Sequence, residues 1–171
     1  GQGHVISSLT AKSSSEYVGL FGYSYGAIIR NVVLDPSCSV VSSYSGSDYS
    51  GAYTGGIIGY CDSCTVENIV NMANISFTGN TNYGLYLGGI AGDLYASSNK
   101  KGTVRNCASY GSVTHFGTAD YAYIGGIAGY STESLSFKNY IQSCLNYGII
   151  THDGITADSL YIGGIVGSTS Y

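Results

Sequence analysis

Short apolar runs alternate with polar residues and recur along the chain at a nearly constant interval, and that interval predicts an architecture. The block Tyr123-Ile-Gly-Gly-Ile-Ala-Gly-Tyr130 returns as Thr54-Gly-Gly-Ile-Ile-Gly-Tyr60, Leu87-Gly-Gly-Ile-Ala-Gly-Asp93 and Ile162-Gly-Gly-Ile-Val-Gly-Ser168. A degenerate first copy reads Val18-Gly-Leu-Phe-Gly-Tyr23, with Val18 standing where the first glycine belongs. Marked at the second glycine, the copies fall at Gly19, Gly56, Gly89, Gly126 and Gly164, in steps of 37, 33, 37 and 38 residues. Units of this length bury their apolar faces only by stacking on their neighbours.

A second register runs between the glycine blocks: Ile29-Arg-Asn-Val32, Val66-Glu-Asn-Ile69, Val104-Arg-Asn-Cys107 and Ile141-Gln-Ser-Cys144. A third follows it, as Tyr110-Gly-Ser-Val-Thr-His115 and Tyr147-Gly-Ile-Ile-Thr-His152, with Met72-Ala-Asn-Ile-Ser76 as a weaker equivalent. Each unit thus offers three strand-sized runs separated by Ser, Gly, Asn, Asp and Thr turns. Helix is the poorer reading, because the runs alternate over two residues and carry glycines that cost a helix about 1 kcal/mol each. The expected fold is all-β: a parallel β-solenoid of about four to five coils with three short strands per coil, filling residues 1–171 as one domain. A β-propeller is the alternative, but its blades need four strands. Stacked coils place like residues in columns. One is apolar, Leu20, Ile57, Ile90, Ile127 and Ile165; another is aromatic, Tyr53, Tyr86, Tyr123 and Tyr161.

The succession Gly-Gly-Ile-x-Gly-Tyr, Val-x-Asn-Cys and Asn-Tyr-Gly-x-Ile, seen at Gly125 to Tyr130, Gln142 to Cys144 and Asn146 to Ile150, resembles the GLUG-type repeats of bacterial and protist surface proteins. That resemblance covers nearly the whole chain. It implies a right-handed β-helix in a secreted or wall-anchored adhesin, and it says nothing of a ligand. Val32 and Ile69 depart from the pattern where Cys107 and Cys144 keep it.

Composition narrows the function classes. Charged residues are 9% of the chain, against about 25% in ordinary soluble domains, so solubility rests on Ser, Thr, Asn and Tyr. A net charge of −4 with six basic residues argues against nucleic-acid binding. Only Lys100, Lys101 and Arg105 cluster. No apolar run has the length of a membrane span and no signal peptide is visible; the chain opens on Gly1, as a processed or excerpted product would.

Candidate chemistry is sparse. Cys107 and Cys144 share a register and should be neighbours on adjacent coils, as a disulfide or a thiol pair. Cys61 and Cys64 read as a local disulfide in a turn, with Cys38 unpaired or bonded to one of them. The C-x-x-C spacing has no second pair to complete a zinc site, so neither metal nor cofactor is expected. His115 and His152 occupy equivalent positions and read as exposed turn residues. The acids, among them Asp48, Asp62, Asp93 and Asp153, are expected mostly in turn clusters with no repeated carboxylate pair, which argues against an enzyme. The tyrosines, 18 in all, suit packing, or alternatively a sugar- or protein-binding face. In the glycine block both sides of the strand are apolar or small, so something should cover each side. Asn74 opens the one N-x-[ST] sequon and is the glycosylation candidate.

The segment Gly3-His-Val-Ile-Ser-Ser8 aligns with the third block and the chain closes after a glycine block, at Ser168 to Tyr171, so both ends fall partway through a coil. Leu20 at one end, Tyr161 and Ile165 at the other, would present open columns. The expected function is an extracellular structural or adhesive protein that stacks head to tail on itself into a fibre or forms part of a surface stalk. Alternatives are a carbohydrate-binding module with surface glycans as partners, and a glycan-degrading β-helix enzyme.

Overall fold

The computed structural model describes residues 4–46, 50–97 and 100–170; Asp48 and the terminal Gly3 and Tyr171 lie outside the described residues. Every regular element is a strand, no helix occurs among the described residues, and the strands stack in parallel ladders as a β-solenoid, not a propeller. The three expected runs form each coil, and the glycine-block run is folded at its Gly-Gly corner into two ladders. The Val-x-Asn-x run gives the first sheet, with Ile28–Leu34, Thr65–Asn71 and Thr103–Ser109 stacked in register. The third block gives the second sheet, through Ser39–Ser42, Asn74–Phe77, Val113–His115 and Ile150–His152. The third sheet holds the residues up to the corner, as in Thr118–Gly125, and the fourth those beyond it, as in Ala128–Thr132.

A spacing of three between inward residues does not fit a strand whose side chains alternate every two. The fold resolves this with a left-handed residue. Asn31, Asn68, Asn106 and Ser143 have φ of 57°, 56°, 53° and 52°, so two successive residues face outward and both Val66 and Ile69 face the core. Asparagine tolerates this region because its short polar side chain bonds locally. Here it bonds along the stack: Asn68 Nδ2 donates to Asn31 Oδ1 at 3.1 Å and Asn106 Nδ2 to Asn68 Oδ1 at 3.3 Å.

At the corner the chain reverses so tightly that the two glycine-bearing faces touch. A Cβ on Gly125 would strike the Ala128 carbonyl, and one on Gly129 would strike Leu87 and Tyr123 backbone. The strand is therefore covered on both sides, as its composition requires, and its outer cover is its own second half. The second glycine makes room for a side chain at Gly56, Gly89 and Gly126: a Cβ at Gly56 would lie 2.5 Å from the Asn71 amide nitrogen. Asn71 needs that position to donate to Gly89 O at 2.8 Å while accepting from Ala73 N–H at 3.1 Å, which closes the turn between the first two sheets.

Two alignments differ from those read in the sequence. Val18 pairs with Thr54 and Phe21 with Ile58, so Val18 is not the first glycine's equivalent; Gly19 is, and this corner is one residue shorter. Val5 and Ile6 pair with Val33 and Leu34 in the first sheet, so the third-block equivalent is Thr10–Ser13. Repeat matching failed at Val18 because one residue of slip does not show in so short a run, and at Val5 because the runs of the first two sheets are too alike. The core columns are nonetheless continuous, with Ile57, Ile90 and Ile127 fully buried one above another.

Candidate functional site

The corner sheets carry two tyrosine columns that face each other. Tyr17, Tyr53, Tyr86, Tyr123 and Tyr161 stack with ring centroids 5.2, 4.6, 5.3 and 5.1 Å apart. Opposite them run Tyr23 and Tyr60, then Asp93, then Tyr130. The columns interlock edge to face, Tyr53 against Tyr60 at 5.1 Å and 88°. Most of these tyrosines are thus packing residues closing the corner. Burial holds the Tyr53, Tyr60 and Tyr86 hydroxyls above their usual range, so they stay protonated.

Asp93 is the exception in this zipper. It is not a turn acid: it sits within the strand Ala91–Tyr95, 4% exposed, in register between Tyr60 and Tyr130. Its polar side-chain contacts are with Thr132 Oγ1, at 3.3 and 3.4 Å. Burial pushes its carboxyl up to about 7, against a smaller lowering by the Thr132 bonds.

The histidines are not exposed turn residues either. His115 is fully buried on the strand Val113–His115, stacked between Phe77 and His152 in register. The two Nδ1 atoms lie 2.9 Å apart, so one donates to the other, while His115 Nε2 is buried without a partner. Burial first, then the neighbouring His152, lowers the His115 pKa to about 4. The position was legible in the repeat register; its burial was not, because the equivalent Ser42 and Phe77 gave no sign that the column points inward.

All five cysteines are free thiols in the structure. The register that pairs Arg105 with Gln142 and Ala108 with Leu145 sets Cys107 beside Cys144 on adjacent coils, as expected. Their mutual hydrogen bond lowers the Cys144 thiol to about 7 and, with burial, raises Cys107. Cys61 and Cys64 are buried together: burial and the bond to Cys64 raise Cys61, and that bond lowers Cys64. Cys38 lies apart from them, its Sγ 3.2 Å from Ile6 O. Asn74 is exposed on the outer face, its Oδ1 accepting from Ser112 N–H and Oγ–H at 3.0 and 2.9 Å.

The last coil is the other distinctive region. Its strands Tyr140–Gln142, Ile150–His152, Ile155–Gly163 and Val166–Ser170 each pair on one side alone. Leu160, Ile162 and Ile165 continue the columns of Ala122, Ile124 and Ile127, yet they are 40%, 49% and 38% exposed where those are fully buried. Leu20, at the opposite end, is half-buried and packs against the core.

Among the described residues no group of three or more His, Cys, Asp or Glu could hold a metal ion, and no helix is long and apolar enough to cross a membrane. No family model, curated protein or solved structure matches the chain.

Proposed function

We propose that this chain is an extracellular structural or adhesive unit that works by stacking coil on coil, head to tail, into a fibre or surface stalk. The observation that carries the reading is the uncovered end of the core: Leu160, Ile162 and Ile165 hold the positions of fully buried residues one coil below. A further coil laid on this end covers them at a gain of roughly 25 cal/mol per Å² of apolar surface. It also pairs the open edge of four ladders at once. The opposite end, Val5–Ile6, Thr10–Ser13, Tyr17–Val18 and Phe21–Tyr25, presents the complementary edge of the same four ladders. Two different complementary surfaces make a heterologous contact, which extends without closing unless its rotation returns on itself.

The test is sedimentation velocity and negative-stain imaging of the purified chain across a micromolar to millimolar series. The intact chain forms rods that lengthen with concentration. The variant Ile162→Asp/Ile165→Asp, which charges the open columns at exposed positions, stays monomeric and folded. An intact chain that remains monomeric throughout, or a double variant that assembles as well as the parent, overturns the reading.

A further inference from the structure

The flank of the first sheet carries a feature that stacking at the coil ends does not use. The chain has six Lys and Arg against ten acids, yet Lys100, Lys101 and Arg105 gather on this one flank. Two depressions, of about 570 and 350 Å³, adjoin there and share Thr65 and Lys101 in their walls. Lys100 and Phe137 bound the larger; Arg105, Tyr140 and Gln142 bound the smaller. Ile28, Thr65, Thr103 and Tyr140 stand in register on four successive coils, so the combined groove runs along the stack for about 14 Å at roughly 4.8 Å per coil.

The electrostatics are uneven in a useful way. Arg105 Nε donates to Glu67 at 2.7 Å, which compensates that charge. Neither Lys100 nor Lys101 forms an ion pair with a carboxylate among the described residues. The Lys101 ammonium lies 4.5 Å over the Tyr140 ring, which holds it at the groove wall. The peptide groups of the floor strands Thr65–Asn71 and Thr103–Ser109 are engaged with the coils above and below, so the middle of the groove cannot take a peptide as an added strand. It offers hydroxyls at Thr65 and Thr103, an amide at Gln142, two aromatic rings and two ammonium groups. That set suits a chain of hydroxylated rings with anionic substituents.

We propose that this groove binds an acidic polysaccharide, a sugar chain bearing carboxylate or sulfate groups. Lys100 and Lys101 take the anions, the hydroxyls and Gln142 take the ring hydroxyls, and Tyr140 and Phe137 lie against the apolar ring faces. The site is on the flank, so it stands or falls independently of assembly at the coil ends.

The experiment is titration calorimetry at low salt with oligogalacturonate, a heparin fragment, neutral dextran and a single-stranded oligonucleotide. It is run on the intact chain and on the Ile162→Asp/Ile165→Asp variant, which removes stacking as a source of heat. At least one acidic saccharide binds both proteins, weakens as salt rises, and loses tenfold or more in affinity with Lys100→Ala/Lys101→Ala, whose side chains are exposed. The ranking of galacturonate against heparin separates carboxylate from sulfate recognition. Tyr140→Ala weakens the saccharide but leaves residual oligonucleotide binding unchanged, which a merely electrostatic patch does not do. Equal binding of dextran, tighter binding of the oligonucleotide, an unaffected lysine variant, or no binding by either acidic saccharide each overturns the proposal.

Discussion

Asp93 should make the fold less stable at neutral pH than its Asn variant, and by an amount that depends on pH in a defined sense. Its carboxyl titrates near 3.8 in an exposed chain and is pushed up to about 7 by burial in the folded zipper. Between those values the folded state holds a proton that the unfolded state has released, so stability is lost as pH rises through that window. A gap of about 3 units at 1.36 kcal/mol each is about 4 kcal/mol at pH 8. Asp93→Asn keeps the shape, lets Thr132 Oγ1 serve as acceptor, and removes the ionisable group. The variant should therefore match the parent near pH 3.5 and exceed it by up to about 4 kcal/mol at pH 8, roughly 10 °C in melting temperature for a chain of this size. Thermal and urea unfolding of both proteins at pH 3.5, 5, 6.5 and 8 measures it, with the difference between the two proteins as the readout, because coils need not unfold all at once. A difference that does not change with pH, or a parent more stable at pH 8, refutes the argument that the carboxylate is buried against its ionised form.

His115 acts in the opposite sense: its pKa is lowered to about 4, so its contribution is complete above pH 6.5 and is lost as pH falls toward 4. His115→Phe, which continues the Phe77 column, should abolish that acid-side loss, and an unchanged pH profile in urea unfolding would count against it. At pH 7.5, Cys144 should be alkylated by iodoacetamide well before the four buried thiols, with Cys107→Ala slowing it by raising its pKa; mass mapping that finds Cys61 or Cys107 labelled first contradicts the assignment. Gly125→Ala should destabilise by several kcal/mol or prevent folding, since its Cβ meets the Ala128 carbonyl, whereas Gly164→Ala, with nothing within 4 Å, should leave the melting temperature nearly unchanged. Expressed through a eukaryotic secretory pathway, the chain should carry a glycan at Asn74, and an intact mass equal to that of the bare polypeptide would show otherwise.

The repeat columns were legible in the sequence because a parallel stack repeats its environment at every coil. Ile57, Ile90 and Ile127 could be placed together without any knowledge of the turns. What the sequence concealed was direction. The Asn of Val66-Glu-Asn-Ile69 recurs at Asn31, Asn68 and Asn106, and that recurrence was the available signal for a left-handed residue that returns the next side chain to the core. Read as simple alternation, the same run hides it. The Gly-Gly corner was ambiguous for a related reason: small residues on both faces imply two covers, but only the reversal at Gly125 and Ala128 identifies the second cover as the tyrosine strand itself. The buried Asp93 was missed because it stands between Tyr60 and Tyr130, where a column average predicts tyrosine, and the burial of His115 was missed because its column of Ser13, Ser42, Phe77, His115 and His152 has no majority residue to show which way it points.

That last point bears on where function is to be sought in a stacked fold. Columns of identical residues are explained by packing: the tyrosine zipper closes a corner, and the asparagines bond along the stack. Function requires a surface that differs from one coil to the next, because a ligand of finite length must distinguish one place on the stack from another. The first sheet supplies that difference. Its outward column runs Ile28, Thr65, Thr103, Tyr140 and its neighbour Arg30, Glu67, Arg105, Gln142, so no two adjacent coils present the same pair. Lys100 and Lys101 enter from the segment between the third and fourth coils, and of the equivalent segments only the next one carries a lysine, Lys138. The core columns, by contrast, lose their cover at the two ends of the stack, at Ile162 and Ile165 on one and at Phe21 on the other. A polymer built from this chain would bury its regular columns at each junction and repeat its irregular flank once per subunit. Stacking would thereby convert a single weak saccharide groove into a multivalent array, with avidity set by the spacing of one subunit to the next.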